Sequence, residues 1–174
     1  MYPDLCLYLC LLERNYSAMH VLLRLYQNAV QTLNHFRSPL LLAIRLYWGW
    51  QFAQDGWGKL NHLSRVTDFF GALNLPAPHF TALVVALVEF VGGILFAAGI
   101  AARLTSLILF VNMTVAFWVA ERDAFLGVLS NPDKFQAADA YNYWFAALLI
   151  LVLGAGTLAA DTLIRRQCHI EGEI

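Results

Sequence analysis

The chain holds 174 residues with 60% hydrophobic, 13% charged and a net charge of −1. A soluble domain carries roughly 25% charged residues, so a freely dissolved globule and a disordered chain are both excluded. With 11 Lys+Arg against 12 Asp+Glu, there is no basic field to recruit nucleic acid.

Residues 1–18 include DLCLYLCLLE, an apolar run too short to span a bilayer and without a small-residue cleavage site, so no signal peptide is read there. Met19 is an alternative start. Over 19–36, Leu22, Leu25, Tyr26, Ala29, Leu33 and Phe36 share a stripe at helical spacing, which predicts an amphipathic helix at the membrane interface.

Four later stretches approach the roughly 20 apolar residues a span requires. They are PLLLAIRLYWGWQFAQDGWGKL from Pro39, HFTALVVALVEFVGGILFAAGIA from His79, LTSLILFVNMTVAFWVA from Leu104 and YNYWFAALLILVLGAGTLAA from Tyr141. Hydrocarbon leaves no partner for an unpaired amide, so each is read as a helix. The expected fold is an all-α membrane protein, a bundle of four transmembrane helices with an N-terminal interfacial helix. Its parts are an extension over 1–38, the bundle over 39–165 and a tail over 166–174. The first of these spans is the most polar, and a soluble amphipathic helix is its competing reading.

The connections differ in kind. Between the first two spans, Ser64 can cap a short helix reaching about Leu73, which Pro76 and Pro78 terminate. Spans two and three are joined almost directly and form a hairpin. The connection ERDAFLGVLSNPDKFQAADA over 121–140 is long, with a turn at Asn131-Pro132. It is the expected docking surface for a protein partner. Arg14, Arg24, Arg37, Arg103, Arg165 and Arg166 fall on the side of the termini, against Lys59, Arg65, Arg122 and Lys134 on the other. Basic residues favour the cytoplasm, so both termini are expected there, in a multi-pass protein of the inner (plasma) membrane.

Ionisable residues inside a span are expensive and mark functional positions. On the first span Arg45, Phe52 and Lys59 line one face with Gly49 and Gly56, and Asp55 stands one turn from Lys59, close enough to pair. On the second, Glu89 sits near the midpoint beside Gly92 and Gly93, with Gly99 further on. The glycines are read as helix-packing positions. Antiparallel packing sets Glu89 about 9 Å in depth from Arg45 at 1.5 Å per residue. Glu89 is therefore read first as the ion-pair partner of Arg45. Unpaired, or near Asp55, it is instead a carboxylic acid suited to proton handling or quinone contact. Arg45, Asp55, Lys59 and Glu89 make the candidate functional cluster. Asn112 in the third span is read as an interhelical hydrogen bond, and Tyr141, Tyr143 and Trp144 as an interfacial aromatic belt.

Other chemistry is sparse. Cys6, Cys10 and Cys168 form no redox pair, and five scattered histidines, Cys168-His169 included, make no metal site. Gly154 and Gly156 are read as packing glycines. No cofactor is evident, and quinone is the one that the polar cluster could take.

RLYWGWQFAQDGWGKL at 45–60, LNLPAP at 73–78, VEFVGGILFAAGIAAR at 88–103 and NPDKFQAADAYNYWFAALLILVLGAG at 131–156 together resemble the DoxX family of small bacterial membrane proteins. The likeness covers about 20–165. Its pattern falls on Arg45, Gly56, Lys59, Glu89, Gly92, Gly93, Gly99 and Arg103. It implies a four-helix integral membrane protein. Relatives include the membrane subunit of a thiosulfate:quinone oxidoreductase and components of thiol- and superoxide-stress assemblies. RLYWGWQF and NPDKFQAAD are closest to the subgroup associated with maturation of copper-binding peptides. The implied roles are therefore a subunit or anchor of a membrane oxidoreductase, or a non-enzymatic partner or scaffold in peptide maturation or export. The expected partners are the lipid bilayer, a protein docked through the 121–140 loop and a second copy in a homo-oligomer.

Overall fold

A computed structural model describes the backbone of residues 3–162 and side chains from Leu23 onward. The tail from 166, including Cys168-His169, and the side chain of Leu22 lie outside the described residues. The described chain is all helical, in the order α1 (Pro3–Asn61), α2 (Leu63–Ala72), α3 (Pro78–Ala98), α4 (Ala102–Ala120), α5 (Arg122–Leu126), α6 (Pro132–Gln136) and α7 (Asp139–Leu153). It divides into two compact units, residues 1–37 and 38–174.

In the first unit, the stripe expected over 19–36 belongs to the longer helix α1. Leu25, Tyr26, Leu33 and Phe36 are all exposed. The rest of α1, from Ser38, belongs to the second unit, which also holds α2 to α7.

In that second unit, α1 packs against α3 through a seam of glycines. A Cβ on Gly49 would lie 2.8 Å from both the Ala97 nitrogen and the Gly93 oxygen, and one on Gly56 would overlap the Phe90 backbone. Only a hydrogen on Cα lets the two backbones approach this closely. The seam fixes the register. Arg45 faces Gly99, and Gly56 faces Ala86 and Phe90.

Helices α3 and α4 are each long and apolar enough to cross a membrane. The core helix of a soluble protein meets the same test but is mostly buried. Here only 28% and 33% of the apolar windows are buried, so most of the apolar surface faces outward, as contact with lipid requires. Val84, Leu87, Val91 and Ile94 on α3 and Leu104, Leu107, Ile108, Val111 and Val115 on α4 form that surface. The hairpin joining the two turns through Gly99 (φ 71°) and Ala101 (φ 45°). Gly99 adopts the left-handed conformation that ends α3, so it terminates a helix as well as lying close to a neighbour.

The stretch from Tyr141 departs from its expected form. The helix stops at Leu153, because Gly154 (φ 78°) and Gly156 (φ 77°) take positive φ angles that side chains disfavour and that do not continue a right-handed helix. The two glycines break the helix rather than pack it. The chain then turns back, and Thr157 donates from N and Oγ1 to Ser38 Oγ at 3.3 and 2.9 Å.

The 121–140 connection is folded. Asn131 caps α6 through its side chain, with Pro132 in the first turn. Buried Phe135 stacks on Phe117 at 5.2 Å and meets Trp144 edge-on. Helix α2 covers the expected short helix, but His62 rather than Ser64 occupies its cap position.

Candidate polar site between the helices

Glu89 is 1% exposed. Its position follows from the seam: Gly93, one turn on, touches α1 at Gly49 and Ala53, so the same face of α3 turns Glu89 inward. Lys59 Nζ donates to Glu89 Oε2. Asn112 Nδ2 on α4 donates to Oε1 at 3.2 Å. One carboxylate thus joins three helices, with a charge-assisted bond on one oxygen and an amide on the other. The Lys59 side chain is 33% exposed, so its stem runs from the buried acid toward the surface.

Beside this network, Tyr143 on α7 donates its hydroxyl to Asp55 Oδ2. The Tyr143 ring packs edge-on against Phe52 at 4.8 Å and Trp48 at 5.3 Å. Trp57 lies against Phe90 at 5.4 Å. Farther along α7, Trp144 Nε1 donates to Thr114 Oγ1 at 3.0 Å. Tyr143 and Trp144 therefore have specific polar partners, which the reading as a belt did not foresee.

Two expected pairings are not formed. Glu89 meets Lys59, not Arg45, because the seam sets Arg45 opposite Gly99, ten residues from Glu89 along α3, or about 15 Å of helix rise. The expectation placed the two spans in a different register. Asp55 does not take Lys59 one turn away, because Tyr143 occupies the first and Glu89 the second.

Arg45 makes a separate locus. It is fully buried, and Nη2 donates to the Leu158 carbonyl at 2.7 Å in the returning segment. Nε and Nη1 have no hydrogen-bond partner among the described residues. Asp161, within electrostatic reach of Arg45, accepts from the amides of Ala101 at 2.8 Å and Ala102 at 2.9 Å. It thereby places a carboxylate at the start of α4, where free amides and the helix dipole favour an anion. Leu158, Asp161 and Tyr143 carried no sequence signal for these roles, since each acts on a residue at least 59 positions away.

Among the packing glycines, Gly49, Gly56 and Gly93 lie in the α1–α3 seam, while Gly92 faces Leu109 of α4. No group of three or more metal-ligating side chains gathers among the described residues.

No curated protein and no solved structure matches this chain. A family model, DoxX, matches residues 40–122. That stretch runs from α1 to the end of α4 and contains the glycine seam, Arg45, Asp55, the Lys59–Glu89 pair and Asn112. The outward apolar faces of α3 and α4 agree with a membrane setting, and over residues 40–122 the chain is similar to the DoxX family.

Proposed function

We propose that this protein is a multi-pass membrane subunit that contacts quinone at the Lys59–Glu89–Asn112 network and the adjoining Asp55–Tyr143 pair. In this reading the α1 stretch over 39–60, α3, α4 and the segment from Tyr141 all cross the bilayer, with both termini cytoplasmic. The observation that carries it is the grouping of three hydrogen-bond donors and two carboxylates among aromatic rings, on helices whose outer faces are apolar.

A quinone headgroup presents two carbonyl oxygens on a ring that stacks on aromatic faces. Lys59, Asn112 and Tyr143 are donors for such oxygens. Glu89 and Asp55 are acceptors for the protons of the reduced form. Trp48 and Phe52 flank Tyr143 and supply apolar ring surface. The partly exposed Lys59 carries three N–H donors, so it can give one to a ligand oxygen while keeping its bond to Glu89. Electrons come from a partner oxidoreductase in this reading, and the chain supplies binding and proton positions.

The test is quinone retention and binding in lipid nanodiscs, with ubiquinone and menaquinone offered separately. Wild-type protein is expected to hold one of them well above protein-free nanodiscs. Glu89→Gln and Tyr143→Phe are each expected to weaken binding about tenfold, or about 1.4 kcal/mol. Retention equal to protein-free nanodiscs overturns the reading.

A second reading rests on the 121–140 connection. Leu126, Val128 and Leu129 are exposed there, Leu129 by 94%. A groove beside them is lined by Glu121, Arg122, Asp123, Lys134 and Ala137. Apolar side chains beside mixed charge suit a protein partner, as an anchor or scaffold in an oxidoreductase or copper-peptide maturation assembly would require. Replacing 126–129 with Gly-Ser repeats should abolish co-purification of that partner while the fold persists. Unchanged co-purification removes this reading.

A further inference from the structure

The inward face of α1 is fully used: Arg45, Gly49, Phe52 and Gly56 all meet the bundle. At 100° per residue, Tyr47, Gln51, Gln54 and Gly58 fall together on the opposite side. Tyr47 and Gln54 are exposed and Gln51 is half-buried. Neither amide side chain has a partner among the described residues. Among the described residues Gly58 has nothing within 4 Å of the position a Cβ would take, so their packing in one copy does not require a glycine there.

Gln51 and Gln54 lie inside α1, and Gly58 stands in its last turn. Through the seam, Ala53 meets Gly93 and Gly56 meets Phe90, which sets Gln54 about level with Val91 and Gln51 about level with Ile94, both within the length of α3. Two unpaired carboxamides at that depth cannot be left facing lipid tails, which offer no hydrogen bond. Something polar must cover them.

We infer that this face is an interface with the same helix of a second copy of the chain, centred on Gln51, Gln54 and Gly58. The inference rests on the four-span reading above, since it needs α1 within the bilayer. Two features select a second copy. Every copy inserts with one topology, so Gln51 and Gln54 of two copies lie at equal depth and meet across a two-fold axis along the membrane normal. A carboxamide both donates and accepts, so it is complementary to itself, as a charged side chain is not. The open Gly58 allows the two helices to approach closely.

The test uses the full chain, expressed alone, with Cys6, Cys10 and Cys168 changed to serine and single cysteines introduced. Under oxidant in native membranes, Gln54→Cys should form a covalent dimer, while Val91→Cys and Val115→Cys, exposed on α3 and α4, should not. Native mass spectrometry from nanodiscs should show a dimer for wild type and a monomer for Gln51→Leu/Gln54→Leu, whose melting in detergent stays unchanged. A monomeric wild type, or cross-linking no greater than at the controls, overturns the interface. So does reaction of Gln54→Cys with a water-soluble maleimide while Trp50→Cys stays protected, because a water-filled groove then covers the amides. Labelling of Trp50→Cys as well shows instead that α1 lies outside the bilayer, and the four-span reading itself fails.

Discussion

Lys59 on α1 and Glu89 on α3 form an ion pair in which the acid is buried and the base reaches the surface. The asymmetry sets what each deletion does. Lys59→Met leaves a buried carboxylate with only Asn112, and removal of one partner from a buried pair costs about 3–5 kcal/mol. Glu89→Gln leaves a lysine that can extend to water, so its cost should be smaller, about 1 kcal/mol for a single net hydrogen bond. Lys59→Met/Glu89→Met should recover most of the loss. Unfolding in graded SDS–detergent mixtures measures all three, and equal losses for the two single variants contradict the asymmetry.

The glycine seam between α1 and α3 should be the least tolerant part of the fold. Gly56→Leu drives a branched side chain into the Phe90 backbone, which cannot move without parting the helices. The variant should fail to yield folded protein in mild detergent. Gly58→Ala meets no atom of its own copy within 4 Å among the described residues and should still yield folded protein. Size-exclusion profiles and thermal unfolding of the pair provide the comparison.

Tyr143→Phe keeps the ring against Phe52 and Trp48 but removes the hydroxyl given to Asp55. The fold should lose about 1 kcal/mol. A loss of 3 kcal/mol or more, read from unfolding curves, would show that the pair carries the packing of α7 rather than adding to it.

Asp161 caps α4 from a distance of about 60 residues in sequence. Asp161→Asn removes the charge that favours the helix start, a contribution of about 0.3–1 kcal/mol. Hydrogen–deuterium exchange should rise locally at the amides of Ala101 and Ala102, with the middle of α4 unchanged. Arg45→Met should act on the same region by releasing the Leu158 carbonyl, seen as faster exchange across 157–162.

The match of residues 40–122 to DoxX agrees with the resemblance carried by RLYWGWQFAQDGWGKL at 45–60 and VEFVGGILFAAGIAAR at 88–103. Those two runs hold the glycine seam and both members of the buried ion pair, so the family signal and the packing arise from the same positions. The hairpin between α3 and α4 was legible for a similar reason. Its connection is too short for any other path, and the flanking apolar runs are uninterrupted.

What the sequence determined by itself was the setting: apolar helices, a bilayer as solvent, and a few charges too costly to be incidental. Those features depend on composition and local spacing, which a chain displays before it folds. Tertiary structure alone decided the partners. Lys59 rather than Arg45 neutralises Glu89, because the Gly49–Gly56–Gly93 seam sets the sliding register of α1 on α3. Tyr143 rather than Lys59 takes Asp55, because α7 returns beside α1. Gly154 and Gly156 end a helix that hydropathy alone would continue, and so deliver Leu158 to Arg45 and Asp161 to the start of α4. A displacement of one helical turn, about 5.4 Å, is enough to exchange one ion pair for another, and hydropathy does not resolve that distance.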